Sequence, residues 1–582
     1  MKKFLSLLLV GAMVLGLVAC GGAASSSEAA PASSSEAAPA SSSEAAPASS
    51  SEAASSEAAA PEGEKVLYTN QGAVEFFQVP WFNANYPNDN KLVYETLVGT
   101  DANDNLTTSC GMSDSYVQAD DGMTFTVHLR DGLQWHDGEP VTADDVVFSI
   151  EAGILDGVSL VSTIKNTWKC LEGAEEYLAG AAEHISGIQV ADDGRTITFK
   201  FASVAPNQVF AFGEMTILPK HLLENADFAA IQQDPYFQKP IGSGPFMIDE
   251  VKMGEYTIYV PNPNYWDGVA DFTIHQLAND PESDPNLVTR FRAGQIDYAM
   301  TKLYDDVRAL QDVEGCTITP VSILYTRWLN VNEFKRDEND VNPLHDARVR
   351  QAIAYAIDRK AIAEGLFEGA VNPGDGTLTP TGHAWKNTNG LETYDYNPEK
   401  AKELLAEAGW DSSRVLKVVY YYQDQGTADL MAIIQQYLAD VGIQIEPSLL
   451  TGDLPTLLNS PPSDWTEDGI KGVDWDLCYG ALAATTTLNY YERFLDNGTN
   501  NAHPVTQEMR DLTAALFGTA NPDEQKAAYA AFEEWQSKEM KIIPLYYSPY
   551  WIVTSDKIAG NVEKWGNPQF LWDWKIQNWE LK

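Results

Sequence analysis

The sequence predicts a mixed α/β protein of at least two domains, on three observations. The chain has 582 residues, more than one hydrophobic core organises. It is 44 % hydrophobic, 11 % aromatic and 21 % charged, values of a chain able to bury a core. Segments with a two-residue apolar period alternate with segments of helical period along the whole length, which places the class in α/β or α+β.

The chain opens with Met1-Lys2-Lys3 and an apolar run from Phe4 to Leu17 broken by Ser6, too short to span about 30 Å of hydrocarbon. It ends Leu17-Val18-Ala19-Cys20, which resembles a bacterial lipobox. Residues 1–19 are therefore expected to be a signal peptide and Cys20 a lipidated N-terminus. With two or more acyl chains, at about 0.8 kcal/mol per buried CH₂, the protein would stay on a membrane. Residues 20–63 repeat Ser-Ser-Ser-Glu-Ala-Ala-Pro-Ala at Ser25, Ser33 and Ser41, beginning again at Ser49. Nothing there is large and apolar enough to offset ordering entropy, so a tether of roughly 35–40 Å r.m.s. is expected.

Folding signals start at Lys65-Val66-Leu67-Tyr68. Asp121-Gly122 precedes the alternating Met123 to Leu129, and Asp193-Gly194 precedes Thr196 to Phe201, so both pairs read as turns into strands. Thr142 reads as an N-cap, with Asp144 and Asp145 in the first turn of a helix through Val146, Val147 and Ile150. A helix beginning near Asp346 buries Val349, Ile353, Ala356 and Ile357. Asn397-Pro398 starts another, with Leu404, Leu405 and Ala408 inside and Gly409 as its stop. Leu430, Ile434 and Leu438 mark a third, which Gly442 breaks before the alternating Ile443-Gln444-Ile445.

Charge and motif content exclude several functions. With 38 Lys plus Arg against 83 Asp plus Glu, the net charge is −45, and no basic stripe with interleaved aromatics stands out, so no nucleic-acid partner is expected. The five cysteines, at 20, 110, 170, 316 and 478, form no C-x-x-C; pairing of Cys110 with Cys170 stays open. Eight histidines include no H-x-x-x-H pair, so no metal and no cofactor is expected. Gly242-Ser243-Gly244 lacks the outer glycines of a nucleophile elbow, since Ile241 and Pro245 stand there, and it reads as a tight turn. No phosphate-binding glycine loop is present and no carboxylate pair stands out for glycosidase work, so no enzyme is indicated.

One run, Leu129-Arg130-Asp131-Gly132-Leu133-Gln134-Trp135-His136-Asp137-Gly138-Glu139-Pro140-Val141-Thr142-Ala143-Asp144-Asp145-Val146-Val147-Phe148-Ser149, resembles the signature segment of the family 5 extracellular solute-binding proteins of ATP-driven importers. In family order follow Pro240-Ile241-Gly242-Ser243-Gly244-Pro245-Phe246, Asn262-Pro263-Asn264-Tyr265-Trp266 and Phe291-Arg292-Ala293-Gly294-Gln295-Ile296-Asp297. Ala347 to Ala352, Ala356-Ile357-Asp358-Arg359, Tyr396 to Ala401 and Ile543-Pro544-Leu545-Tyr546-Tyr547 complete the set. The resemblance implies an α/β, two-lobed periplasmic-binding-protein-like clamshell (type II, cluster C) with an extra inserted domain. Lobe I would comprise 64–92, 206–325 and 547–582, domain II 93–205, and lobe III 326–546. It further implies a monomeric, extracytoplasmic binding protein of an ABC importer, closing on a peptide or peptide-like solute and delivering it to the permease's transmembrane subunits. The alternatives within that role are an oligosaccharide, an opine or a metal chelate; the rival class is a surface enzyme or a chaperone or adhesin.

By the same resemblance, one ligand wall is the loop Asn70 to Trp81, with Glu75, Phe76, Phe77 and Trp81. The facing wall is Thr379 to Trp385, the strand Tyr479-Gly480-Ala481-Leu482-Ala483 and Tyr490-Tyr491. Extended ligands would lie along strand backbone between aromatic walls. Trp135 and His136 would hold the fold rather than the ligand. One departure stands out. Peptide binders of the family place an aspartate after the strand, to meet the ligand's amine, whereas Ala481 to Asn489 contains no carboxylate. Weak discrimination for a free amine is expected, unless Asp474, Asp476 or Glu75 reaches it from elsewhere.

Overall fold

A computed structural model describes residues 65–582 apart from 73–76, 78–80, 82–87, 101–104, 121, 159, 161, 206, 279–283, 472, 485, 496–501 and 561–574. The chain divides into two units, Met1–Glu64 and Lys65–Lys582. The signal peptide, Cys20 and the repeats fall outside the described residues.

Within the second unit, the opening strand Val66–Gly72 pairs in parallel with Thr273–Ala278, Leu67 opposite Ile274, and antiparallel Tyr256–Pro261 and Phe246–Lys252 complete a four-stranded sheet. Between the first and last of these in sequence lies an antiparallel sheet of Ser113–Gln118, Thr124–Leu129, Thr196–Lys200 and Ile188–Val190, in that order. Phe125, Val127, Ile197 and Phe199 point inward from it into the same core that holds Leu67, Phe246 and Tyr259. The Asp193-Gly194 turn behaves as expected, while Asp121 lies outside the described residues. The carboxylate of Asp193 accepts from the Thr196 N–H at 2.8 Å, and Gly194 takes the left-handed conformation the turn requires (φ 68°).

The other half is built on a six-stranded mixed sheet, in the order Asn372–Pro373, Ile542–Tyr547, Tyr325–Val331, Leu477–Ala483, Val415–Tyr420 and Gln444–Leu449. One face packs on helices that include Ala347–Ala356, Pro398–Ala408 and Gln425–Asp440, through Val349, Ile353, Leu404, Leu405, Leu430, Ile434 and Leu438. The predicted starts are the observed ones. Asp346 accepts from the Arg348 N–H and Asn397 from the Lys400 N–H, and Gly409 ends its helix at φ 69°. Thr142 donates its backbone N–H to Asp145, whose other oxygen accepts from the Lys220 N–H, so this cap also ties the helix Ala143–Ile154 to the short helix Lys220–Leu223. Cys110, Cys170, Cys316 and Cys478 are free thiols.

The signature motifs are joints within the first half. Trp135 is buried, and His136 donates its backbone N–H to the Gly242 carbonyl at 2.8 Å. Its ring clasps the same turn: the Gly242 N–H donates to Nδ1 at 3.1 Å, which leaves the proton on Nε2, 3.0 Å from the Gly244 carbonyl. Burial pushes this imidazole down to about 4, so it is neutral. A Cβ on Gly242 would lie 1.9 Å from the Val93 oxygen, which explains the glycine by close backbone approach rather than by chemistry. The Tyr265-Trp266 pair encloses Glu95, the phenol donating at 3.1 Å and the indole at 2.8 Å, while Arg130 lies 3.6 Å over the Trp266 ring.

Candidate functional site

The chain passes twice between the two halves. Cys316–Val321 and Tyr550–Ser555 belong with Tyr298–Thr301 to a three-stranded sheet of the first half, whereas Tyr325–Val331 and Ile542–Tyr547 belong to the six-stranded sheet. The crossings therefore fall at 321–325 and 547–550. They are bonded to each other: the Ser548 N–H donates to the Tyr325 carbonyl at 3.0 Å, and the Tyr325 and Tyr550 rings meet edge-on at 5.5 Å. Two adjacent, paired strands thus form the hinge region between the lobes, with a register shift between Arg327 and Trp328 just inside the second one.

Beside the hinge, Leu477–Ala483 runs antiparallel to Tyr325–Val331, with Ala481 opposite Arg327 and Gly480 opposite Trp328. Ala481 and Ala483 pack against the core of the opposite lobe, so this end of the strand lies where the lobes meet. Gly480 lets aromatic edges approach closely, since a Cβ there would stand 3.2 Å from Tyr421 Oη and 3.6 Å from Trp328 Nε1. A second, polar contact closes the interface: Asn207 of the first lobe donates its amide N–H to Glu492 and accepts from Thr486 Oγ1 at 3.3 Å. Asn207 is 4 % exposed and Glu492 8 %, so this contact is dry, and Asn489 holds the other Glu492 oxygen at 2.7 Å.

The residues expected to form the walls are placed as follows. Tyr479 is buried on the strand, its hydroxyl 2.7 Å from that of Tyr546. Tyr490 reaches the hinge strand, its hydroxyl 2.9 Å from Thr326 Oγ1. Tyr491 is packed between Tyr529 and Phe532. Half-buried Trp385 stands edge-on to Tyr529 at 5.4 Å. Phe77 and Trp81 are buried in the first lobe; the Trp81 indole donates to the Thr216 carbonyl at 2.9 Å and its ring stacks on Phe228. Glu75 and Phe76 lie outside the described residues. The hinge strand thus brings together Tyr479, Ala481 and Tyr490, while Phe77 and Trp81 spend their contacts within their own lobe.

The carboxylates near the strand are committed. Asp474 pairs with Lys417 at 2.6 Å, and buried Asp476 accepts from the Lys417 N–H at 2.8 Å and pairs with Arg414 at 3.2 Å. The Asp474 pair is exposed, whereas the Asp476 carboxylate is buried. In the wall segment, Glu533 accepts from Thr379 Oγ1 and the Asn387 N–H, and burial pushes it up to about 7. Asp375 is also pushed up by burial, yet Lys386 at 2.9 Å and the Tyr547 hydroxyl hold it below its ordinary value. Asn207, Glu492 and Arg327 were not foreseen. Only Arg327 had a sequence signal, a charge inside the otherwise neutral strand Tyr325–Val331.

No group of His, Cys, Asp and Glu able to hold a metal ion occurs among the described residues, and none of their helices is long and apolar enough to cross a membrane. The sequence matches the family Bacterial extracellular solute-binding proteins, family 5 Middle, over residues 109–501. The chain belongs to this family. Among its relatives is the oligopeptide-binding protein AppA of Bacillus subtilis, 24 % identical over 521 residues, covering 83 % of this chain and 89 % of that one. Heme-binding protein A of Haemophilus influenzae is 24 % identical over 472 residues, covering 78 % and 81 %. NikZ from Campylobacter jejuni, solved in complex with Ni(L-His), superposes with a TM-score of 0.70 at 20 % identity, covering 90 % of this chain and 100 % of that one. The fold is accordingly the two-lobed α/β periplasmic-binding architecture of the family 5 proteins.

Proposed function

We propose that this family 5 protein is the extracytoplasmic receptor of an ABC importer, monomeric and tethered through Cys20. In this reading it captures a peptide-like solute between its lobes and presents it to the permease. The observation that carries the reading is the paired hinge together with the half-buried strand end at Ala481 and Ala483, where two lobes meet beside aromatic edges. Closure buries the solute and so shifts the open–closed equilibrium toward the state a permease would recognise. Tyr479, Ala481 and Tyr490, with Trp385 and Tyr491 behind them, are the lobe III side of the site; Glu75 is its lobe I side, while Phe77 and Trp81 support that wall from the core. A binding role is favoured over catalysis because the two carboxylates raised to about 7, Glu95 and Glu533, are each enclosed by donors of their own lobe. The relatives bind chemically different solutes, an oligopeptide in one case and heme in another, so the family does not choose the ligand. The test is to denature the purified protein and identify what it releases by mass spectrometry. A peptide-like solute near one equivalent supports the proposal; a sugar, opine or chelate in its place retains transport and replaces the ligand class.

A further inference from the structure

Among the buried cations of the second lobe, Arg350, Lys541 and Arg359 are satisfied by carboxylates or carbonyls, whereas Arg327 on the hinge strand is not. Arg350, fully buried, pairs with Glu333 at 3.2 Å and Glu539 at 2.9 Å. Buried Lys541 pairs with Glu333 at 2.8 Å. Arg359 has no carboxylate, but it donates to the carbonyls of Ala354, Tyr394 and Pro544. Arg327 is only 6 % exposed and makes neither kind of contact: among the described residues no ion pair forms on it, and its Nη1 has no acceptor. Its surroundings are aromatic faces, with its guanidinium carbon 4.1 Å from the Tyr422 ring centre, 5.0 Å from Tyr325 and 5.8 Å from Tyr479. The Tyr479 hydroxyl is turned to Tyr546, and the Tyr422 hydroxyl donates to Tyr421.

Cation–π contacts compensate a desolvated guanidinium only in part, and a buried charge ordinarily demands an anion. Arg327 stands where a ligand could provide one. It lies opposite Ala481, which touches the other lobe, and two residues along the same face from Tyr325, which belongs to that lobe's core. We propose that Arg327 is the anchor for a carboxylate of the transported solute, held by the bidentate geometry that a guanidinium offers, with the tyrosines walling the adjoining part of the ligand. This rests on the reading of the chain as a solute receptor and adds a ligand chemistry to it: an anionic solute. It also fits the absence of a carboxylate for an amine, since Asp474 and Asp476 are already paired. A surface of net charge −45 would repel such a solute, so the recognition must come from a local, desolvated cation.

The test uses the full chain stripped of solute and calorimetric titration with three matched probes: N-acetyl-trialanine acid, its C-terminal amide, and N-acetyl-Ala-Glu-Ala amide. Tighter binding of the acid than of the amide, by tenfold or more, assigns the terminal carboxylate; preference for the glutamyl probe over the trialanine amide assigns a side-chain carboxylate. In Arg327→Met either preference should fall to within twofold, and Arg327→Lys should restore part of it. A preference that survives Arg327→Met overturns the proposal. The thermal melt of the ligand-free variants gives a reading that needs no probe. If Arg327 awaits an anion, Arg327→Met melts at or above the wild type; if it melts clearly lower, the arginine is structural and the proposal is wrong. Wild type that binds none of the probes counts against the peptide reading, while the melts still decide on Arg327.

Discussion

Deleting the side chain of Asn207 tests the contact between the lobes with little local damage. Asn207 sits in the left-handed region (φ 56°), so Asn207→Gly removes the amide while relieving rather than adding backbone strain. The loss is one hydrogen bond to the Glu492 carboxylate and one to Thr486. A bond to a charged acceptor contributes about 1.5–3 kcal/mol and a neutral one about 1 kcal/mol. Asn489 still satisfies one oxygen of Glu492, so the net cost to the closed form is taken as about 2 kcal/mol. If the lobes separate at this contact when they open, the cost falls on the closed form alone, and affinity for the co-purified solute should fall roughly 30-fold. Calorimetry with that solute measures it. A double-mutant cycle with Glu492→Gln should give a coupling energy of about 1 kcal/mol or more. Affinity within twofold of wild type, with coupling near zero, would refute the claim that this contact belongs to closure.

Three further outcomes follow from particular residues. Burial holds Glu95 at about 7 against an ordinary 4.5, so the folded protein binds a proton there that the unfolded chain releases, and stability falls as pH rises between those values and stays lower above them. Glu95→Gln, which keeps the acceptor for Tyr265 and Trp266, should therefore gain on the wild type between pH 4.5 and 8, by at most about 3 kcal/mol; an equal difference at both pH values in denaturant titrations would contradict it. Replacing Cys20 with Ala should move the protein from membranes into the soluble fraction, and retention after salt and carbonate washing would rule out the lipid anchor. An N-acetylated di- or tripeptide should bind at least as well as its free-amine parent. A hundredfold preference for the free peptide would restore an amine clamp, and since Asp474 and Asp476 are paired, it would point to Glu75.

Local grammar was legible in the sequence because it acts within a few residues. The caps at Asp346 and Asn397 and the stop at Gly409 stand where predicted, each through a bond made inside one turn. The resemblance set the lobe boundaries at 325/326 and 546/547, and the strands cross between the lobes at 321–325 and 547–550. The interface was less legible. Asn207 and Glu492 are 285 residues apart and each looks like an ordinary polar residue, so only the fold brings them together. Trp81 shows why aromatics alone do not separate a ligand wall from a core. It is 1 % exposed, with its indole N–H spent on a carbonyl of its own lobe. His136 and Gly242 are another case: their contacts lie 106 residues apart, and the resemblance marked the segment as structural before any spacing could explain it.

Solution scattering on the purified chain, stripped of solute and then saturated with the solute it releases, tests the central claim that binding closes the two lobes about the paired strands at 321–325 and 547–550. The account predicts a smaller radius of gyration on saturation with an unchanged far-ultraviolet circular dichroism spectrum, because the hinge bends while both sheets keep their pairing. An unchanged radius of gyration at confirmed saturation would contradict it.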